Sequence, residues 1–133
     1  MKVSVIKQYS VFMPNKPGAL ARLAQAFADA EVNIIGLTSE VRDDSALVRI
    51  ALAGDQEHSG ILSRAGYASV EGRLLSVEVE DRAGQLARIT KLLGEGGVNI
   101  TTVYGTALGS AQSRILMAVE DTDRAVALLE ERE

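Results

Sequence analysis

Two segments of this chain repeat one another, and that constrains its fold more than any other feature. Asn15–Ile34 reads NKPGALARLAQAFADAEVNI and Asp81–Ile100 reads DRAGQLARITKLLGEGGVNI; they align without gaps at an offset of 66. Seven of the twenty positions are identical: Gly18/Gly84, Leu20/Leu86, Ala21/Ala87, Arg22/Arg88, Val32/Val98, Asn33/Asn99 and Ile34/Ile100. Ordinary residue frequencies would give about one such match. Lys16/Arg82, Leu23/Ile89 and Asp29/Glu95 are conservative pairs, and Arg49-Ile50 aligns with Arg114-Ile115 after a one-residue deletion. A repeat that fills a chain signals a duplicated structural unit. Two related units, 1–72 and 73–133, follow, with the boundary near Gly72–Arg73.

Each unit has the same order of periodicities. Tyr9, Val11 and Met13, and later Leu75, Val77 and Val79, alternate as strands with one core face. A turn at Gly18 or Gly84 leads into a helix, with Leu20, Leu23, Ala24 and Phe27 on one face, or Leu86, Ile89 and Leu93. Gly94, Gly96 and Gly97 end the second of these helices. Strands are expected to begin at Val32 and Val98 and to turn at Asp43-Asp44-Ser45 and Gly109-Ser110. Third strands at about Leu47–Ala53 and Gln112–Val119 precede helices near Gln56–Arg64 and Thr122–Glu131, and Tyr67–Glu71 can form a fourth strand. The order β-α-β-β-α-β predicts an α+β fold, one antiparallel sheet per unit with helices on one face. The second unit has no fourth strand after its last helix, whereas the N-terminal strand is long, from about Lys2 to Met13. An exposed edge invites aggregation, so the N-terminal extension, a swapped strand or a partner chain is expected to cover it.

Composition narrows the function. The chain is 47% apolar and 24% charged, with a net charge of −4. No basic stripe marks a nucleic-acid face, and no apolar run approaches the roughly 18 residues of a membrane span. The absence of cysteine excludes disulfides, thiolate metal sites and cysteine nucleophiles. The start MKVSVIKQYS lacks the apolar core of a signal peptide, so a cytoplasmic protein is expected. The lone histidine, His58, reads as a surface residue, and Asp43-Asp44 as a solvated turn. Gly94-Glu95-Gly96-Gly97 ends a helix, whereas a phosphate loop would open one. The acidic tail Glu130–Glu133 reads as a fraying helix end. No acid–base set recurs between the units, so the expectation is a protein that is not an enzyme, with no catalytic residue, no cofactor and no metal site.

The repeated polar residues carry more information. With Val32 and Ile34 facing the core, Asn33 faces away, as does Asn99 between Val98 and Ile100. Each offers one acceptor and two donors. The turn Asn15–Leu20 presents backbone N–H groups at the positive end of a helix, a cradle for a carboxylate. Turn and asparagine together suit a free amino acid; alternatively, the asparagines only cap or bridge the strand start.

Asn15-x-Pro17-Gly18-x-Leu20 followed by Val32-Asn33-Ile34 resembles the signature of the ACT domain, and Asp81-x-x-Gly84-x-Leu86 with Val98-Asn99-Ile100 resembles it again. The likeness covers nearly the whole chain, and it is similar to stand-alone tandem ACT proteins, some of them described as similar to the acetolactate synthase small subunit. The resemblance implies a ferredoxin-like fold with strand order 4-1-3-2 and the binding of a small ligand, usually an amino acid, at interfaces between ACT units. It places ligand contacts on Asn15, Lys16, Pro17, Gly18, Ala19, Leu20, Asn33 and Ile34, and on Asp81, Arg82, Ala83, Gly84, Gln85, Leu86, Asn99 and Ile100. The implied function is a non-catalytic allosteric sensor; the alternative is the regulatory subunit of a biosynthetic enzyme such as acetolactate synthase, with a catalytic-subunit partner.

Two departures stand out. Ala83 replaces the usual proline, and Glu31 stands where glycine is usual, which costs about 1 kcal/mol if that position needs a positive φ. Pro17 pre-organises the first turn, so the first site is expected to be the tighter. The open face of the first unit is expected to carry Phe12, Ile35, Leu37, Leu47 and Ala51, against the more polar Glu78, Thr101, Val103, Gln112 and Leu116. An apolar open face breaks the alternation of a half-solvated sheet and leads to the expectation of a homodimer.

Overall fold

The computed structural model describes residues 1–53 and 56–131. Ten elements follow in order: β1 (Lys2–Pro14), α1 (Ala19–Asp29), β2 (Ile34–Arg42), β3 (Ser45–Leu52), α2 (Ser59–Arg64), β4 (Ser69–Glu80), α3 (Gln85–Glu95), β5 (Ile100–Gly109), β6 (Gln112–Val119) and α4 (Thr122–Glu130). The expected βαββαβ order is present twice. The far end of the acidic tail, Arg132 and Glu133, lies outside the described residues.

Two compact units form: Lys7–Gly72, and Met1–Ile6 together with Arg73–Glu133. The repeat boundary at Gly72–Arg73 places Met1–Ile6 in the first unit, and the structure places them in the second. Their placement follows from apolar packing. Met1, Val3 and Val5 lie against the core of Leu75, Val77, Val79, Ile89, Leu93, Val98, Ile115, Met117, Ala125 and Leu129. Within that unit the strands run β1-β4-β6-β5, so the N-terminal segment takes the place of the missing fourth strand. Within Lys7–Gly72 they run β2-β3-β1, with β4 next to β1. Each unit therefore has the 4-1-3-2 order. Of the two stretches read from sequence as separate strands, Tyr67–Glu71 and Leu75–Val79, the residues from Ser69 onward belong to the single strand β4, which starts two residues later than expected.

The core of Lys7–Gly72 comprises Tyr9, Val11, Met13, Leu23, Phe27, Val48, Ile50, Leu52 and Leu62. Leu23 and Phe27 are wholly buried, each worth roughly 1.5–3 kcal/mol relative to exposure. Ile89 and Leu93 do the same work in the other unit.

Strands β2 and β5 start two residues later than the valines predict, and the helix ends explain why. Val32 N–H donates to Phe27 C=O at 2.9 Å and Glu31 N–H to Ala28 C=O at 3.0 Å. Val98 N–H donates to Leu93 C=O at 2.9 Å and Gly97 N–H to Gly94 C=O at 3.1 Å. This is the paired closure of a Schellman motif, which needs a left-handed residue after the cap. Gly97 supplies it at φ 79° and Glu31 at φ 58°.

A second repeated irregularity corrects the expected open face. The register shifts between Ile34 and Gly36, and again between Ile100 and Thr102. A bulge of one residue reverses the facing of everything beyond it. Leu37 therefore pairs with the core residue Ile50, and Val103 with the core residue Met117, both on the helix side. The open face of Lys7–Gly72 is instead Gln8, Ser10 and Phe12 of β1, Leu47, Arg49 and Ala51 of β3, and Gly36, Thr38 and Glu40 of β2. Phe12 is its most exposed apolar residue, at 59%.

Candidate ligand-binding site

The turn before each long helix is built by the same hydrogen bonds. Asn15 N–H donates to Asp44 C=O at 2.8 Å, and Asp81 N–H to Ala111 C=O at 2.8 Å. Lys16 N–H reaches Pro14 C=O at 3.2 Å, and Arg82 N–H reaches Glu80 C=O at 3.0 Å. Ala19 N–H and Gln85 N–H close back on the carbonyls of Lys16 and Arg82. Gly18 and Gly84 then enter the helix at φ 86° and 94°, a conformation that favours glycine for want of a Cβ. Each turn is thus tied to the neighbouring β-hairpin and aims a helix start in a fixed direction.

No side chain caps α1 or α3. By contrast, Asp121 caps α4 by accepting from Arg124 N–H at 3.1 Å. Beyond Ala19 and Gln85, the N–H groups of Leu20 and Ala21 and of Leu86 and Ala87 are left to solvent or a ligand, with the positive helix end behind them. Pro17 and Ala83 sit exposed in the turns, beside exposed Lys16 and Arg82; Leu20 and Leu86 lie on the outer side of each helix start. Ala19 packs against the Lys7–Gly72 core, whereas its counterpart Gln85 is 8% exposed.

Asn33 and Asn99 are exposed, as the alternation requires, and Ile34 and Ile100 pack against the two cores. Asn99 Nδ2 donates to Glu120 Oε1 at 3.2 Å, and Glu120 N–H returns a bond to Asn99 C=O at 3.0 Å. Asn99 therefore does bridge the strand start. The residue matching Glu120 in the first repeat is Asp55, which lies outside the described residues. Asn15 Nδ2 donates to Asp43 C=O at 3.1 Å, so this side chain braces its own turn.

Two cavities adjoin the second turn. One, of about 340 Å³, is lined by Asp81, Gly105, Thr106, Ala107, Ser113, Arg114 and Ile115. The other, of about 170 Å³, is lined by Met1, Val79, Glu80, Arg82, Gln85 and Arg88. Arg88, Thr106 and Glu80 escaped the sequence analysis as lining residues. Arg88 carried a signal, its identity with Arg22; the strand residues carried none, because the hairpin packing brings them to the turn.

A separate polar cluster was also not legible in sequence. The Tyr9 hydroxyl accepts from His58 N–H at 2.9 Å and lies 3.0 Å from Glu57 Oε1 and 2.9 Å from Glu71 Oε1. Lys7 Nζ pairs with both carboxylates at 3.3 Å. Burial, with the two carboxylates, pushes the Tyr9 hydroxyl well above its ordinary value. Hydrogen bonds from Ser59 hold the Glu57 carboxyl well below the ordinary range. These bonds tie the α2 entry to β1 and β4. Among the described residues, no three His, Cys, Asp or Glu side chains converge as a metal site, and no helix is long and apolar enough to cross a membrane.

A twice-repeated α+β unit, with a glycine-entered, uncapped helix start in each copy, is the architecture of a paired domain. The chain matches the family model for an ACT domain pair over residues 4–132, and it belongs to that family. In three dimensions it is similar to a protein from Bacteroides thetaiotaomicron, with 22% identity, a TM-score of 0.87, and 98% of this chain and 90% of that one covered. It is also similar to the ligand-free regulatory subunit of aspartate kinase from Thermus thermophilus, with 14% identity, a TM-score of 0.69 and coverage of 98% and 97%. Aspartokinase alpha and beta subunits share the fold at 18% identity and a TM-score of 0.65, over 98% and 96% of the chains. No curated protein matches in sequence.

Proposed function

We propose that this ACT domain pair is a non-catalytic regulatory protein that binds a free amino acid at the turns Asn15–Leu20 and Asp81–Leu86, with Asn33 and Asn99 beside them. The observation that carries this is the uncapped start of α1 and of α3, each held in place by the same turn hydrogen bonds. Fixed N–H donors at a positive helix end bind a carboxylate without reorganisation. The exposed asparagines add donors and an acceptor for an amine or a second acid group.

Ligand binding would be read out through assembly. Phe12 stands out from the open face of Lys7–Gly72 beside a cavity of about 290 Å³ lined by Glu40, Arg42, Ser45, Ala46 and Leu47. A second copy of the chain seated there would form a homodimer. The second reading is a regulatory subunit that docks on a separate catalytic chain of amino-acid biosynthesis, acetolactate synthase being the example the resemblance implies. The fold shared with aspartate kinase regulatory subunits favours a partner of that kind.

A thermal-shift screen of the twenty amino acids tests the ligand class, because a bound ligand raises apparent stability by mass action. One amino acid, or a few related ones, should raise the melting temperature. Titration calorimetry with that amino acid should show Asn33→Ala binding more weakly, by about 1.5–3 kcal/mol for each charge-assisted hydrogen bond removed. A flat screen, or unchanged affinity in Asn33→Ala, defeats the corresponding part of the reading.

A further inference from the structure

The two repeats share one turn but not the side chains around it. In the first, Arg22 is occupied: its Nη2 donates to Ala65 C=O at 3.0 Å, and its guanidinium lies 5.4 Å from the centre of the Tyr67 ring. In the second, Arg88 makes no such contact. Its Nη1 donates to Gln85 Oε1 at 3.3 Å, and Gln85 stands where the first repeat has Ala19.

That bond fixes the amide. Arginine only donates, so the Gln85 oxygen must face Arg88 and its nitrogen must face the other way. Gln85 is 8% exposed, and its Nε2 has no acceptor among the described residues. It lines the cavity of about 170 Å³ with Arg82, Arg88, Glu80, Val79 and Met1. Its N–H groups are therefore open to an acceptor in that cavity. Glu80 is already paired, with Arg82 Nε at 3.2 Å. The groups facing the cavity are therefore an amide donor, the Arg88 guanidinium and the Arg82–Glu80 ion pair, with Gln85 at the uncapped start of α3.

We propose that this cavity is a carboxylate subsite, that Gln85 and Arg88 are its specificity-determining residues, and that it makes the second repeat the one that holds the ligand's acid group. The inference rests on the reading of the turns as ligand sites. It reverses the order of affinities expected from Pro17, because the first turn has its arginine occupied by Ala65 and Tyr67 and an alanine in place of Gln85, whereas the second directs an amide and the Arg88 guanidinium toward one cavity.

The test is an amide-resolved NMR titration of the full chain with sodium acetate, then with inorganic phosphate, then with the twenty amino acids. Acetate should move the Gln85 side-chain amide and the backbone amides of Gln85–Ala87 saturably, and leave Ala19–Ala21 unmoved. Arg88→Ala should weaken acetate binding by about tenfold or more, and Arg22→Ala should leave it unchanged. No saturable shift at Gln85, equal shifts at both turns, an Arg88→Ala variant that binds acetate normally, or a response to phosphate without one to acetate would overturn the proposal. The two readings fail separately. If acetate binds at Gln85 while no amino acid does, the subsite stands and the amino-acid function falls. If amino acids bind only at the first turn, the function stands and the subsite falls.

Discussion

Glu31 is a single residue held where its side chain is a disadvantage. At φ 58° it fills the left-handed position that Gly97 fills in the other repeat. Left-handed backbone costs a side-chain-bearing residue about 1–2 kcal/mol. Glu31→Gly should therefore stabilise the protein by about 1 kcal/mol, and Gly97→Ala should destabilise it by a similar amount, since a Cβ there meets no atom and only the backbone strain counts. Calorimetric melting of the two variants checks both signs. Glu57 makes a second prediction at this scale. Hydrogen bonds from Ser59 hold its folded pKa below the ordinary 4.5, so the charged form is favoured on folding. That stability is present above pH 4.5 and is lost as pH falls through the depressed folded value. Glu57→Gln should flatten the acid limb of a plot of melting temperature against pH; an unchanged limb would show that other carboxylates set it.

At the scale of elements, α3 continues through a glycine that packing does not require. Gly94 lies inside the helix, and a Cβ there would meet nothing within 4 Å. Gly94→Ala should stabilise the protein by about 0.5–1 kcal/mol through helix propensity, read from a chemical denaturation curve. A loss of stability would mean that the Schellman closure, in which Gly94 C=O accepts from Gly97 N–H, tolerates no change at the helix end. Helices and strands were largely legible because their periodicities follow from burial of one face: the predicted span Gln112–Val119 is that of β6, and Thr122–Glu131 differs from α4 by one residue. The bulges after Ile34 and Ile100 were not. Strict alternation carried Leu37 to the wrong face, since the irregularity arises from pairing with β3 and leaves no mark in the local pattern.

For the whole molecule, β1 has the largest consequences. Its first residues add Met1, Val3 and Val5 to the core of the Arg73–Glu133 unit. Replacing both valines with asparagine should destabilise that unit by about 2–3 kcal/mol, and hydrogen exchange at β4 and β6 should accelerate. Unchanged protection there would show that the unit closes its sheet without them. Phe12, in the same strand, is the residue on which the proposed dimer rests. Phe12→Lys should turn the proposed dimer into a monomer by light scattering, because a lysine would bring an unpaired charge into the contact; a variant that remains dimeric would move the interface elsewhere.

By itself the sequence determined the duplication, the βαββαβ order of each copy, the two helix entries at Gly18 and Gly84, and the outward direction of Asn33 and Asn99. Each of these follows from local rules: burial periodicity, the left-handed freedom of glycine, and identity between copies. Tertiary structure alone decided that Met1–Ile6 serves the second repeat, that Tyr9 gathers Lys7, Glu57 and Glu71, and that Arg22 is occupied while Arg88 faces a cavity with Gln85. These depend on residues far apart in the chain meeting in space, and pairwise contacts of that kind leave no period in the sequence to read.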